Sequence, residues 1–263
     1  MRSLLKWAGV AMAVVWSVPA WAAIHEQEIP YNDGQTQLAG YLVWDDQFSG
    51  KRPGVLVVHE WWGLNDYAKS RARQLASMGY IAFAADMYGK GHVTEHAKEA
   101  KGWMKQVTAN VAGWRKRADL ALSQLKASPL VDAQRVAAVG YCFGGGTVMQ
   151  MAYGGSDLLG VASFHGPLPP PEEADYPQIK AKIFAAHGDA DTFIPAKRIE
   201  TFQQRLSAAG ADWQLLRYGG VVHSFTNPSA DGSWMPVVKY DEKADRRSWA
   251  AFKHFLDELF WSK

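Results

Sequence analysis

One cysteine has the sequence context of a catalytic nucleophile. Cys142, the only cysteine of the chain, lies in GYCFGGG (140–146), which fits the pattern G-x-nucleophile-x-G. In that pattern the nucleophile stands on a tight turn between a strand and a helix, where neighbouring glycines relieve crowding. The N-terminus of the following helix favours the thiolate. The sequence therefore predicts that Cys142 attacks an electrophile.

Candidates for the partners of this nucleophile lie downstream. HGDADTFIP follows a predicted strand and offers Asp189 and Asp191, one of which could hold an imidazole while the other caps a helix or stabilises the loop. His223, in GGVVHSF, is suited to proton transfer near neutral pH. The order nucleophile, acid, base matches the pattern. We therefore expect His223 to accept the proton of Cys142.

Two backbone N–H groups are candidates for binding an oxyanion. Phe143 directly follows the nucleophile, and Trp61 lies in HEWWGLN after the third apolar run. Glu60 precedes Trp61, and a carboxylate beside a thiol opposes thiolate formation. From the residues alone, Glu60 either modulates the thiol or is a solvated loop residue.

The elements that must position these residues alternate along the chain. Residues 24–30 and 37–44 predict an antiparallel pair of strands joined by the turn residues of YNDGQ. Further strands are predicted at 54–60, 80–86, 135–140, 160–166, 182–188 and 212–218. Helical patterns lie at 66–78, 95–109, 114–127, 145–153, 196–209 and 241–260. This alternation predicts a mostly parallel central sheet with helices on both faces, whose ligands bind at the carboxyl ends of the strands.

Composition and the first residues limit the cellular role. Apolar residues make up 48% of the 263, and a net charge of +2 gives no reason to expect nucleic acid as a partner. Residues 1–23 have the layout of a secretory signal peptide, with cleavage after Ala22 or Ala23 and an uncleaved anchor as the alternative. We therefore expect residues 24–263 to form one exported domain, periplasmic or secreted, without stable membrane insertion.

Five segments together resemble the dienelactone hydrolase family of α/β-hydrolases: HEWWGLN, GYIAFAADMYG, GYCFGGG, HGDADTFIP and HSF, in that order. The resemblance spans about residues 25–260 and implies an α/β-hydrolase fold. It implies a carboxymethylenebutenolidase-like hydrolase that cleaves an ester or lactone through a Cys-His-Asp triad and a thioester. It selects Asp191 as the triad acid, and it implies that Glu60 keeps the resting thiol neutral until substrate displaces it.

The chain departs from the family at the positions that hold the substrate. Members that act on dienelactone bind its carboxylate through arginines. At the corresponding positions this chain has Asn227 and either His96 or Lys98. These side chains cannot copy the bidentate fork of arginine, so dienelactone itself is disfavoured. Trp61 and Trp62 favour a small-molecule substrate with an apolar or aromatic acyl group, and packing in the core is the alternative role of these two rings.

Three other interpretations of the sequence are alternatives to an ester or lactone hydrolase. HVTEH (92–96) matches a zinc-peptidase pattern that needs both histidines on one helix face. Thr94 is the predicted N-cap, so we expect His92 to lie outside the helix, and no metal or organic cofactor is expected. Redox use of a lone cysteine is disfavoured because no resolving thiol exists. The remaining alternative is a non-catalytic small-molecule binding protein on a hydrolase scaffold.

Overall fold

The structure is a computed structural model that describes residues 23–261. Eight strands of this part form one sheet: β1 (Ile24–Asp33), β2 (Thr36–Asp45), β3 (Arg52–Val58), β4 (Ile81–Ala85), β5 (Val131–Tyr141), β6 (Gly160–Phe164), β7 (Lys182–Gly188) and β8 (Trp213–Tyr218). Their order is β1-β2-β4-β3-β5-β6-β7-β8. The pairs β1–β2 and β2–β4 are antiparallel and the other pairs are parallel. The predicted mostly parallel sheet is confirmed.

Helices cover both faces of the sheet. They are α1 (Asp66–Ala76), α2 (Ala97–Thr108), α3 (Val111–Ala127), α4 (Phe143–Tyr153), α5 (Ala196–Ala208) and α6 (Glu242–Trp261), with a short 3-10 helix at Glu173–Gln178. In β3, Val55 and Val57 pack against α1 and α6, while Leu56 and Val58 face the helices on the other side. This alternation follows the period of two of a strand and explains why β3 is apolar throughout.

The start of α2 differs from the prediction. The helix begins at Ala97 after an N-cap at His96, and the Thr94 hydroxyl instead accepts a hydrogen bond from the His96 N–H at 3.0 Å. The prediction of Thr94 as N-cap was therefore wrong. His92 lies in the preceding loop, so the two histidines of HVTEH do not share a helix face.

The predicted signal peptide lies, except for Ala23, outside the described residues. Within residues 23–261, no helix combines the length and the apolar character that crossing a membrane requires.

Two glycines allow the chain to turn sharply at Cys142, whose backbone has φ 52° and ψ −116°. A Cβ on Gly140 would overlap the carbonyl oxygen of Gly144, and a Cβ on Gly144 would overlap that of Val58. Backbone atoms cannot move aside as the end of a flexible side chain can. The ends of β3 and β5 and the start of α4 therefore meet only because both positions lack a side chain.

Substitution of the second glycine tests this packing. We expect Gly144→Ala to lower the free energy of unfolding by about 2 kcal/mol or more, because the backbone must shift to admit the methyl group. Gly102→Ala is the matched control: no atom lies within 4 Å of a Cβ built at this glycine inside α2. It should raise stability by about 0.5–1 kcal/mol. Urea denaturation measures both, and a Gly144→Ala protein as stable as the parent would contradict the packing argument.

Candidate active site

Three candidate catalytic side chains follow three strands of the sheet. Cys142 stands between β5 and α4, Asp191 follows β7 and His223 follows β8. The carboxyl ends of parallel strands lie at one edge of a sheet, which is why residues so far apart in the chain can meet. Cys142 is partly exposed and lies at the N-terminus of α4, where the helix dipole favours a negative charge on sulfur.

The structure brings these three residues into one hydrogen-bonded chain. His223 Nε2 lies 3.2 Å from Cys142 Sγ, and His223 Nδ1 lies 2.7 Å from Asp191 Oδ2. The other carboxylate oxygen of Asp191 accepts from the Phe193 N–H at 2.9 Å. Asp189, the alternative acid, forms an ion pair with Arg217 at the surface instead. The arrangement allows an Nδ1–H that donates to Asp191 while Nε2 exchanges a proton with sulfur.

The electrostatics of this chain favour a protonated His223. Burial disfavours the imidazolium, but the charge of Cys142, hydrogen bonds to Asp191 and Cys142, and the charge of Asp191 together raise the pKa of His223 to about 10. A raised histidine pKa means that the protonated ring is stabilised below that value. The imidazolium form of His223 is therefore favoured at neutral pH.

The candidate oxyanion donors follow two neighbouring strands, β5 and β3. Phe143 is the first residue of α4, so its N–H has no acceptor within the helix. Trp61 lies in the loop after β3, which His59 fixes in place. His59 Nδ1 bonds the carbonyl oxygen of Glu60, and its Nε2 accepts from the Met87 N–H at 3.2 Å. Each N–H thus comes from a rigidly held segment at the same sheet edge.

Glu60 is buried and fully engaged in hydrogen bonds. Ser224 Oγ donates to Oε1 at 2.9 Å and Asn227 Nδ2 donates to Oε2 at 2.6 Å. Burial raises the pKa of Glu60, and the two hydrogen bonds counteract part of that effect. Both donors come from the loop that carries His223, so the carboxylate joins the β3 loop to the histidine loop. The solvated-loop interpretation of Glu60 is wrong, because the side chain is inside the protein.

A buried arginine supports the histidine loop from the opposite side. Arg71 of α1 donates to the carbonyl oxygen of Thr226 and pairs with Asp245 of α6 at 2.7 Å. The Thr226 hydroxyl bonds Tyr67 Oη at 2.6 Å and His165 Nε2 at 2.7 Å. Sequence inspection missed Arg71, Tyr67 and Thr226. A usable signal was the arginine on the otherwise apolar face formed by Ala68, Ala72 and Leu75.

His165, which follows β6 at the same edge, packs against His223. Its ring meets that of His223 edge-on, with centroids 5.2 Å apart, and Phe193 meets His223 edge-on at 5.1 Å. Burial, followed by the charge of His223, holds the pKa of His165 far below its usual value. His165 therefore stays neutral and orients His223 by contact.

Asp86, another residue that follows a strand, has a structural role. Its carboxylate accepts from the N–H groups of Tyr88 and Gly89, both at 2.9 Å, and from that of Ala39 at 3.1 Å. It closes the turn after β4 and takes no part in the hydrogen-bonded chain at Cys142.

Comparison with known proteins places the chain in a family. Residues 38–260 match the model of the dienelactone hydrolase family. A solved structure of a dienelactone hydrolase-like promiscuous phosphotriesterase from metagenomic libraries is 39% identical, with a TM-score of 0.87, and the match covers 90% of this chain and 99% of that one.

Two further relatives agree with this match. An uncharacterized protein of Caenorhabditis elegans is 36% identical over 146 residues, which are 55% of this chain and 92% of that protein. A Yersinia pestis protein provisionally named a carboxymethylenebutenolidase is 27% identical over 77% of this chain and 79% of its own length. With its mostly parallel sheet and a family match over most of its length, the chain belongs to the dienelactone hydrolase family of α/β-hydrolases.

Proposed function

We propose that the chain hydrolyses a small carboxylic ester or lactone through a Cys142–His223–Asp191 triad and a thioester intermediate. The observation that carries the proposal is the chain of contacts at 3.2 Å between His223 Nε2 and sulfur and at 2.7 Å between Nδ1 and the carboxylate. A protein that only binds its ligand would not need a partly exposed thiol, a base and an orienting acid that contact one another in that order.

The reaction follows from these positions. The Cys142 thiolate attacks the substrate carbonyl, and the N–H groups of Phe143 and Trp61 bind the oxyanion. His223 donates its Nε2 proton to the leaving alkoxide as the carbon–oxygen bond breaks, which leaves a thioester. A water molecule then gives its proton to His223 and attacks the thioester, which releases the acid and restores the thiolate. For a lactone, the alcohol remains attached to the released product.

Glu60 is proposed to tune the reactivity of the thiol. A carboxylate buried at this sheet edge would disfavour a negative charge on the sulfur, so we expect it to lower the thiolate fraction in the resting enzyme. The hydrogen bonds from Ser224 and Asn227 hold this carboxylate in place from the histidine loop. Substrate that displaces this carboxylate would remove its effect on the sulfur and increase the thiolate fraction.

Removal of the sulfur tests the nucleophile. Cys142→Ala should reduce kcat for aryl esters by at least about a thousandfold, because the remaining groups cannot form a covalent bond with the acyl group. Its thermal unfolding should match the parent protein within a few degrees. Acid quenching of the parent during turnover should trap an acyl group on Cys142, detected by peptide mass spectrometry. Hydrolysis by the alanine variant at the parent rate would refute the proposal.

The two aspartates of HGDADTFIP provide a matched pair. Asp191→Asn should lower kcat about a hundredfold or more, because the amide would donate to Nδ1 and leave the ring proton on Nε2. That tautomer cannot accept the thiol proton. Asp189→Asn removes the same charge two residues away, where the carboxylate only meets Arg217, and should change kcat less than about threefold. Equal losses in both variants would exclude Asp191 as the orienting acid.

Thiol reactivity tests the role of Glu60. Glu60→Gln keeps the shape of the side chain and removes its charge, so iodoacetamide should alkylate Cys142 faster at neutral pH than in the parent. The Asp189→Asn protein serves as the control, with an alkylation rate close to that of the parent. An unchanged or slower rate in Glu60→Gln would show that Glu60 does not restrain the thiol.

A further inference from the structure

A large cavity opens beside the loop that carries the base. It has a volume of about 720 Å³, and its walls come from the start of α1, the loop before α2 and the segment 224–238. Ser224, the neighbour of His223 in the chain, forms part of the wall. We call this space the side cavity. Its volume lies within the range that binds small molecules, and its position suits the part of a substrate that does not react.

Aromatic rings form one side of the side cavity. Trp62 and Trp234 line it, with centroids 6.0 Å apart, and both contact Trp61, the proposed oxyanion donor, at 4.9 and 6.0 Å. Trp234 is 52% exposed and Val93, also in the wall, is 48% exposed. Large apolar groups clustered in the wall of a cavity, in contact with Trp61 and beside the chain neighbour of His223, favour a ligand with an aromatic or apolar body.

The charges around the side cavity are mostly negative. Asp66, Glu95 and Asp231 line it, opposed by Lys69. The Lys69 ammonium lies 3.9 Å from the centroid of the Tyr41 ring, which is outside the cavity wall. The N-terminus of α1 would attract an anion, but Asp66 in its first turn offsets that partial charge. The net field therefore disfavours a negatively charged ligand.

The hydrogen-bond donors nearest the base are already used. The Ser224 hydroxyl and the Asn227 amide both line the side cavity, and both donate to the buried Glu60 carboxylate. A substrate carboxylate that reached this end of the cavity would meet oxygen atoms and a buried negative charge. Binding it there would require breaking these hydrogen bonds.

We propose that the side cavity binds the aromatic, non-reacting part of the ester and selects uncharged esters over otherwise matched esters that carry a carboxylate. This inference rests on the proposed ester hydrolysis and adds the class of substrate to it. The rings of Trp62 and Trp234 supply the contact surface for the aromatic part of the ester. The carboxylates that line the cavity disfavour a negatively charged ester; they belong to Asp66, Glu95 and Asp231.

A matched substrate pair tests the selection. The probes are 4-carbamoylphenyl acetate and 4-carboxyphenyl acetate, with kcat/KM of each divided by its rate of alkaline hydrolysis to remove intrinsic reactivity. At low ionic strength the uncharged ester should be preferred about tenfold or more, and added salt should reduce the preference. Equal or faster hydrolysis of the carboxylate would overturn the inference. If the parent protein hydrolyses neither ester and no acyl group forms on Cys142, the proposed function fails as well.

Two double variants separate the effect of charges at the side cavity from the effect of the net charge of the protein. The double variant Glu95→Gln with Asp231→Asn should reduce the preference at least about threefold, which is the effect of removing two exposed charges near the ligand. Glu200→Gln with Glu242→Gln changes the net charge equally, away from the side cavity, and should leave the preference unchanged. Equal effects of the two double variants would overturn the assignment to the cavity.

Two exposed tryptophans complete the test. Trp234→Ala should raise KM for both aryl esters at least about threefold, with a smaller change in kcat, because it removes contact surface only. Trp261→Ala is the control, since Trp261 is 58% exposed and its ring contacts Arg135 instead of the cavity. A KM that Trp234→Ala leaves unchanged, or that both variants raise equally, would show that the aryl group does not bind in the side cavity.

Discussion

The close backbone contact around Cys142 is the constraint on which the site depends. The residue has a positive φ that a non-glycine residue adopts only where the surroundings enforce it, and here the ends of β3 and β5 and the first turn of α4 enforce it. The same contact fixes the sulfur above the sheet edge, points the helix N-terminus at it and sets the Phe143 N–H beside it. One local packing arrangement thus determines where the sulfur lies and which backbone N–H lies beside it.

The histidine loop is the second rigid part, and it is held from two sides. Glu60 bonds Ser224 and Asn227, while Arg71, Tyr67 and His165 bond Thr226. Hydrogen bonds to charged groups inside a protein are stronger than those at the surface, so these contacts restrict the loop. His223 is therefore held beside the sulfur by contacts within the protein, although its loop contains neither a helix nor a strand.

Local sequence signals predicted the sheet and singled out three side chains that the structure brings together, because each signal lies in a short segment. Short segments bounded by turn residues indicated the strands, and G-x-C-x-G, HGDAD and HSF indicated the three side chains. The predictions failed where contacts between residues far apart in the chain determine the structure. β5 begins at Val131, four residues before the predicted start, because its first residues pair with Arg52 and Pro53 of β3 across a register shift. The partners of Glu60 lie more than 160 residues away in the chain.

The ion pair between Arg71 and Asp245 gives α6 a role beyond covering the sheet. Asp245 lies in the first turn of this last described helix, and its partner reaches the carbonyl oxygen of Thr226 in the histidine loop. The position of His223 thus depends on a helix that contributes no residue to the contacts of Cys142. A change at Asp245 would act on the histidine loop through Arg71, so a residue of the covering layer influences the geometry at the sheet edge.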